Sequence, residues 1–320
     1  MPHILLLGAG FSRNWHGWLA SEIGSDLAGR LASDAHSSGV LQQSKGFEDA
    51  LSTVQVAFKA NPNDQTRAQL RRFQDALQAT FAAMNDAFAA MADFEFTQDY
   101  AYQVVPFLTK FDAIFTLNQD LLLELHYRER MVIPSHPRWS GCEFPGMIPQ
   151  PPGAGLFDAR AVTWRPAPQF APSSNLQPIF KLHGSTNWRD ADGGELLVMG
   201  ADKAATIQEK AILRRYADEF LRYLSMPGAR LMVIGYGFLD PHINDAIVAG
   251  SRGGGLKMFI VDHPAGWKVL RNINPTSARP AYLPQPIEQV GSLGDSTRSL
   301  RDTFGTDRLE HGKLCRFFSP

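Results

Sequence analysis

The sequence predicts an α/β fold: a Rossmann-like, doubly wound parallel sheet with an inserted helical subdomain and a Pro/Gly-rich insertion. Three observations predict it. Short, near-continuous apolar runs (Ile4–Leu7, Phe111–Leu117, Pro178–Leu182, Arg230–Tyr236 and Lys257–Val261) alternate with stretches of helical period. Strands of a parallel sheet are buried on both faces and read this way. The first run leads straight into Gly8-Ala9-Gly10-Phe11-Ser12, a strand and tight turn with a helix-compatible stretch, Asn14–Leu31, after it. Finally, TLNQD (Thr116–Asp120), KLHGS (Lys181–Ser185) and IGYGFLDPHIN (Ile234–Asn244) each follow an apolar run. Ligands of such sheets bind at the carboxyl ends of the strands, where these clusters fall.

Each element has a local reason. In the stretch after the first turn, Leu19, Ile23, Leu27 and Leu31 recur every four residues, giving one apolar helix face. Trp15 and His16 either border a pocket or pack the start of that helix, and HSSG (His36–Gly39) reads as a loop. Phe47–Ala60 reads as a helix, stopped by Asn61-Pro62-Asn63-Asp64. A long helix is expected from about Thr66 to Phe94, with an apolar seam from Leu70 and Phe73 to Met91. That seam is core or, less simply, an interface between copies. A further helix, Asp99–Lys110, is bent near Pro106. Residues of about 47–110 therefore form the helical insertion.

The next strand leads through Asn118-Gln119-Asp120 into a helix, Leu121–Arg130. Residues of about 132–178 hold too many prolines and glycines for regular elements and too many aromatics for a free linker. They read as an ordered cover or an interaction surface. A hairpin is expected around Asp192-Gly193-Gly194, and an amphipathic helix over Ile207–Leu224. Asp240 and Pro241 read as the cap and first position of another helix. Residues 1–272 form the main domain on this reading, and 273–320 a peripheral C-terminal segment.

Composition narrows the function classes. At 320 residues the chain holds one large domain or two modest ones, with an ordinary globular balance of 44% hydrophobic and 20% charged residues. A net charge of −1 gives no global pull towards nucleic acid or an anionic membrane. No apolar run reaches the roughly 18 residues of a membrane span, and the first run lacks a basic lead-in. A cytoplasmic location is expected. The two cysteines, Cys142 and Cys315, read as plain thiols and cannot make a four-cysteine zinc site.

Taken alone, the Gly turn has two readings, because the dinucleotide fingerprint wants a third Gly where Arg13 stands. Gly8, Ala9, Gly10 and Phe11 offer backbone donors to a phosphate, with the Ser12 hydroxyl beside them, or simply form a turn. Asn118 and Asp120 carry polar groups suited to a ligand, and both are also helix N-cap types. His183 titrates near neutrality and suits a general base, though a lone histidine is often structural. Gly235 and Tyr236 can approach a phosphate or ribose, and Asp262 ends a strand where a ribose contact belongs. His242 and Asn244 lie near Asp240, and no metal is expected on them.

Four such clusters in this order resemble the sirtuin family in its broad, Sir2-like sense. GAGFS is similar to the family's phosphate loop, TLNQD to its Thr-x-Asn-x-Asp nicotinamide motif, KLHGS to its catalytic His-Gly, and IGYGFLDPHIN to its second phosphate–ribose loop. The resemblance runs from Pro2 to about Asp262 and implies NAD as substrate. It implies Asn118 and His183 as catalytic residues. Gly8, Ala9, Gly10, Phe11, Ser12, Asn118, Asp120, Gly235, Tyr236 and Asp262 become the residues that hold NAD. Two departures stand out: there is no cysteine between Cys142 and Cys315, so the family's zinc module is missing, and Asn14-Trp15-His16-Gly17-Trp18 replaces its Pro-Asp-Phe-Arg segment. Both are similar to the zinc-less bacterial branch of NAD hydrolases in anti-phage defence. The resemblance thus implies an NAD glycohydrolase without zinc, regulated by self-assembly or a partner protein of a defence system. An NAD-dependent deacylase and a non-catalytic NAD- or ADP-ribose-sensing module are the alternatives.

Overall fold

A computed structural model describes residues 1–128, 138–150, 159–200, 202–261, 287 and 290–319. Its strands are β1 (His3–Leu7), β2 (Ala113–Thr116), β3 (Gly141–Glu143), β4 (Met147–Gln150), β5 (Thr163–Pro166), β6 (Leu176–Lys181), β7 (Gly184–Arg189), β8 (Glu195–Leu197), β9 (Arg230–Ile234), β10 (Lys257–Val261) and β11 (Gly291–Ser296). One parallel sheet runs in the order β11-β10-β9-β1-β2-β6-β3, and a smaller sheet in the order β4-β5-β7-β8. Helices flank the parallel sheet, so the fold is the Rossmann-like α/β arrangement that the apolar runs predict.

The strand order explains where a ligand can go. From the central β1 the chain moves to β2 and β6 on one side, then crosses back to β9, β10 and β11 on the other. This reversal is a topological switch point, and the crevice outside its strand ends is the usual binding place in such sheets. The register brings the ends level: Leu7 pairs with Thr116 and with Ile234, Thr116 with Lys181, and Ile234 with Val261. Gly8, Leu117, Leu182 and Gly235 therefore leave the sheet along one edge. The strands hold because Ile4, Leu5, Leu6, Ile114, Phe115, Leu231, Met232 and Val233 lie in the core, as a sheet covered on both faces needs.

Several elements differ from the sequence reading. The helix expected over Asn14–Leu31 begins only at α2 (Ala20–Arg30), and a short α1 (Ala9–Arg13) forms before it within the stretch read as the tight turn. Between them Gly17 presses on Ser12, leaving only 2.7 Å where a Cβ would stand, and His16 takes a left-handed backbone at φ 66°. HSSG is no loop but part of α3 (Ala35–Gln43), started by the Asp34 side chain accepting from the Ser37 amide. α4 (Phe47–Ala60) is as expected. α5 (Asp64–Ala89) starts at a capping box of Asn63 and Thr66 and ends before Phe94. Along its seam Phe73, Leu77, Phe81, Met84 and Phe88 are core, while Leu70 and Met91 at its ends are partly buried and packed against it. Pro106 sits inside the short α6 (Val104–Leu108), where its missing amide is tolerated. Beyond Leu121 the expected α-helix is a π-helical turn, Glu124–Arg128.

The breaker-rich stretch is more regular than its composition suggests, since β3, β4 and β5 fall in it. The hairpin around Gly193 is β7–β8, and the amphipathic helix divides into α7 (Lys203–Glu209) and α8 (Ala211–Leu224). α9 (Pro241–Gly254) starts at Pro241 as read. The described stretch of the C-terminal segment, residues 290–319, is not peripheral. It adds β11 to the sheet, then α10 (Leu300–Gly305) and α11 (Arg308–Cys315). Phe317, which is buried, packs its ring against His3 and Phe111, and its carbonyl accepts from Arg230 at 2.7 Å.

One ion pair anchors the site from beneath. Lys181, the last residue of β6, sends Nζ to Glu124 Oε1 at 2.6 Å and to the Asp120 carbonyl at 2.6 Å. Both side chains are almost wholly buried, so neither charge has water to fall back on.

Two stability measurements test this account. Phe317→Ala should lower unfolding free energy in urea by about 3–5 kcal/mol, the usual cost of emptying a buried Phe site, whereas a peripheral segment would give a change near zero. Lys181→Met should cost about 3–5 kcal/mol because it leaves the Glu124 carboxyl buried without its partner, and Lys181→Met with Glu124→Leu should recover most of that loss. Equal losses in the single and double variants would show that the pair is not the anchor.

Candidate active site

The site is built from two turns pressed together. Gly8 follows β1, Gly10 lies at the start of α1, and Gly235 follows β9. A Cβ on Gly8 would lie 2.5 Å from the Gly235 carbonyl oxygen, and one on Gly10 2.6 Å from the Gly235 Cα. Gly235 itself has φ 66°, and its Cβ would lie 2.2 Å from the Phe11 nitrogen. No side chain fits here, which is the physical reason for three glycines. The contact uses amides that the sequence reading assigned to a phosphate: Gly8 donates to the Ile234 carbonyl at 3.0 Å, Gly10 to that of Gly235 at 2.9 Å, and Phe11 to that of Gly8 at 2.9 Å. In this structure those donors hold the turns together.

The first turn meets the end of β2 through polar side chains. Asn118 Nδ2 donates to Ser12 Oγ at 2.9 Å, and Ser12 Oγ donates to Asp120 Oδ2 at 2.8 Å. The other Asp120 oxygen accepts from the Leu122 amide at 3.1 Å. Burial pushes the Asp120 carboxyl above the usual carboxylate range, against the opposing pull of Lys181, the Leu122 amide and the Ser12 hydroxyl. Asp120 thus does cap the turn that follows it, and it also faces Ser12. From α5, Asn85 accepts from the Leu121 amide at 2.9 Å and donates to Thr186 Oγ1 at 3.3 Å. The helical insertion therefore holds this edge in place, a role with no signal in its apolar periodicity.

His183 lies between β6 and β7. The turn there depends on Gly184, at φ 72°, where a Cβ would stand 1.9 Å from the Leu196 carbonyl oxygen. The His183 ring is buried, and its Nε2 lies 3.0 Å from Nε2 of His242 in the first turn of α9. Desolvation pushes the His183 imidazole down to about 3, with Asp240 opposing it, so the ring is neutral at physiological pH. Burial likewise lowers His242, again against Asp240. Asp240 stands at the N-cap position of α9, but its side chain makes no capping hydrogen bond. Its Oδ1 instead accepts from Lys203 Nζ at 2.9 Å, and Lys203 reaches Glu48 Oε2 at 2.8 Å. Burial works to raise the Asp240 carboxyl, and among the opposing influences Lys203, by its charge and its hydrogen bond, helps to hold it low. The ligand atoms of His183, Asp240 and His242 all lie within 4.8 Å of one another.

The remaining expected residues divide. Tyr236 is buried, and its hydroxyl donates to Asn244 Oδ1 at 3.0 Å and accepts from the Asp240 amide at 3.1 Å. It braces the start of α9. Trp15 is stacked on Phe94 with ring centroids 4.5 Å apart and donates Nε1 to the Phe94 carbonyl, so its role is packing, while His16 is exposed. Asp262 lies outside the described residues. Sequence reading missed Lys203 and Glu48 altogether, since a pairing across such chain distances leaves no local pattern.

Comparison with known proteins fits this geometry. A search of curated proteins gives no match. The family description "SIR2-like domain" matches residues 112–275, a span that carries TLNQD, KLHGS and IGYGFLDPHIN. The GAGFS turn precedes it, and the structure places that turn against the end of β9 inside the matched span. SIR2-like domains go with NAD-related chemistry. With about half its length in the match, this chain belongs to the SIR2-like domain family.

Proposed function

We propose that the protein is an NAD glycohydrolase that cleaves the nicotinamide–ribose bond, giving nicotinamide and ADP-ribose. One observation carries the reading: the Asn118–Ser12–Asp120 chain of hydrogen bonds stands at the switch point, one strand away from His183. As the bond between ribose C1′ and the pyridinium nitrogen breaks, its electron pair neutralises the ring and leaves an oxocarbenium-like sugar. Asn118 orients a water or ribose hydroxyl, Asp120 holds the carboxamide, and Ala9 and Ser12 meet the phosphate side. Water adds at C1′, and His183 takes its proton. Asp240 lies close enough to offset the imidazolium that forms.

A neutral His183 suits this chemistry, because a cationic ring beside a pyridinium and a developing sugar cation would raise the barrier. The zinc-less motif pattern supports a place in anti-phage defence. A hydrolase of the cell's own NAD needs restraint, which supports regulation by self-assembly or by a partner protein.

The test is purified protein with NAD and no acyl peptide, with nicotinamide and ADP-ribose followed by chromatography. Wild type should release both in equal amounts. Asn118→Ala and His183→Ala should each lose roughly 10²–10⁴-fold, the range of a positioned acid–base group. Release that depends on an acyl-lysine peptide would replace this reading with deacylation. NAD that binds and stays intact, with or without added cell extract, would replace it with a sensing module.

A further inference from the structure

We propose that His183, Asp240 and His242 form a divalent-metal site, suited to Zn²⁺ or a similar borderline cation, which inactivates the catalytic centre by capturing Nε2 of His183. Two imidazoles and a carboxylate are a donor set that such cations favour. The three ligand atoms already lie within 4.8 Å of one another. The two Nε2 atoms are 3.0 Å apart. Two Zn–N bonds of about 2.0–2.1 Å at a tetrahedral angle need nitrogens about 3.3 Å apart. The rings therefore have to separate by only a few tenths of an ångström.

The frame around the ligands is fixed. His183 is held by its carbonyl, which accepts from the Val198 amide at 2.9 Å, and by the Gly184 turn. Asp240 and His242 flank Pro241 at the start of α9, which Tyr236 braces. The charge is also suitable. Lys203 touches Asp240, but Glu48 pairs with it too, so one cation faces two carboxylates and the group sums to −1. When a metal takes Asp240, Lys203 retains Glu48. Asp245 adds a further negative field at His242. Without metal, the same contact is a hydrogen bond in which one imidazole donates to the other.

The metal site stands on this geometry alone, while its inhibitory effect rests on His183 being the base. Protein dialysed against a chelator would be titrated with Co²⁺ as the spectroscopic probe. Visible ligand-field bands should grow to one equivalent, and Zn²⁺ should abolish them. His242→Gln and Asp240→Asn should each weaken Co²⁺ binding by at least roughly tenfold, the scale on which even outer partners of a metal ligand act. Circular dichroism on both variants separates lost ligation from lost folding. A wild type without saturable bands, or folded variants that bind as well as wild type, would overturn the site. Zn²⁺ should also stop nicotinamide release, and chelator should restore it. A cobalt spectrum without any NAD cleavage would keep the metal site and overturn the base role. NAD cleavage without a cobalt spectrum would do the reverse.

Discussion

The structure depends on one backbone contact, that of Gly8 and Gly10 with Gly235. It joins the ends of β1 and β9 where the strand order reverses, at a separation no side chain would allow. Everything placed at the edge follows from it. Ser12 is carried towards β2 because the first turn cannot swing out, and Tyr236 is carried to the start of α9 because the second cannot. The contact also sets what the amides do. In a helix-start phosphate site the backbone donors point at the ligand. Here the Gly8 and Gly10 amides tie the first turn to the end of β9 and the Phe11 amide closes the first turn on itself, so rigidity of the crevice is the first function of the glycines.

Charge is arranged in two tiers around this edge. Beneath it, Lys181 and Glu124 form a closed pair that fixes the Asp120 carbonyl without reaching solvent. Such a pair adds little net stability over apolar packing, but removing either member is severe, which makes it a good locator. Beside the edge, Asp240, Lys203 and Glu48 form an open group next to the paired rings of His183 and His242. The first tier holds a shape, and on the proposed reading the second sets the potential at the end where the chemistry occurs.

What the sequence made legible was local. The strands were readable because a buried parallel strand must be apolar along its length, and the turn clusters because Gly, Asn and His interrupt those runs abruptly. The failures were tertiary. The helix read from Asn14 starts only at Ala20, because Gly17 packs against Ser12 in a turn before it, at a distance no side chain would allow. His36–Gly39 is helical because Asp34 caps it, overriding a loop-like composition. Residues 291–317 looked polar, yet Phe304, Leu314 and Phe317 anchor them. In the site, Ser12, Asn118 and Asp120 came together as their motifs suggested. His242 was named beside Asp240, but its pairing with His183 was not legible, since the contact spans 59 positions and polar pairs of that kind have no period.

The hydrogen-bond state of the edge constrains how a substrate can bind. Asn118, Ser12 and Asp120 satisfy one another, and Asp120 is buried. A carboxamide or ribose hydroxyl that enters must exchange these bonds for its own. Such an exchange nearly balances in number and yields little net free energy, because a hydrogen bond made replaces one lost. If NAD is the substrate, as proposed, ground-state affinity comes mainly from the rest of the dinucleotide, while the exchanged bonds act where the sugar charge develops. That is the division expected of an enzyme whose polar groups favour the transition state over the bound substrate.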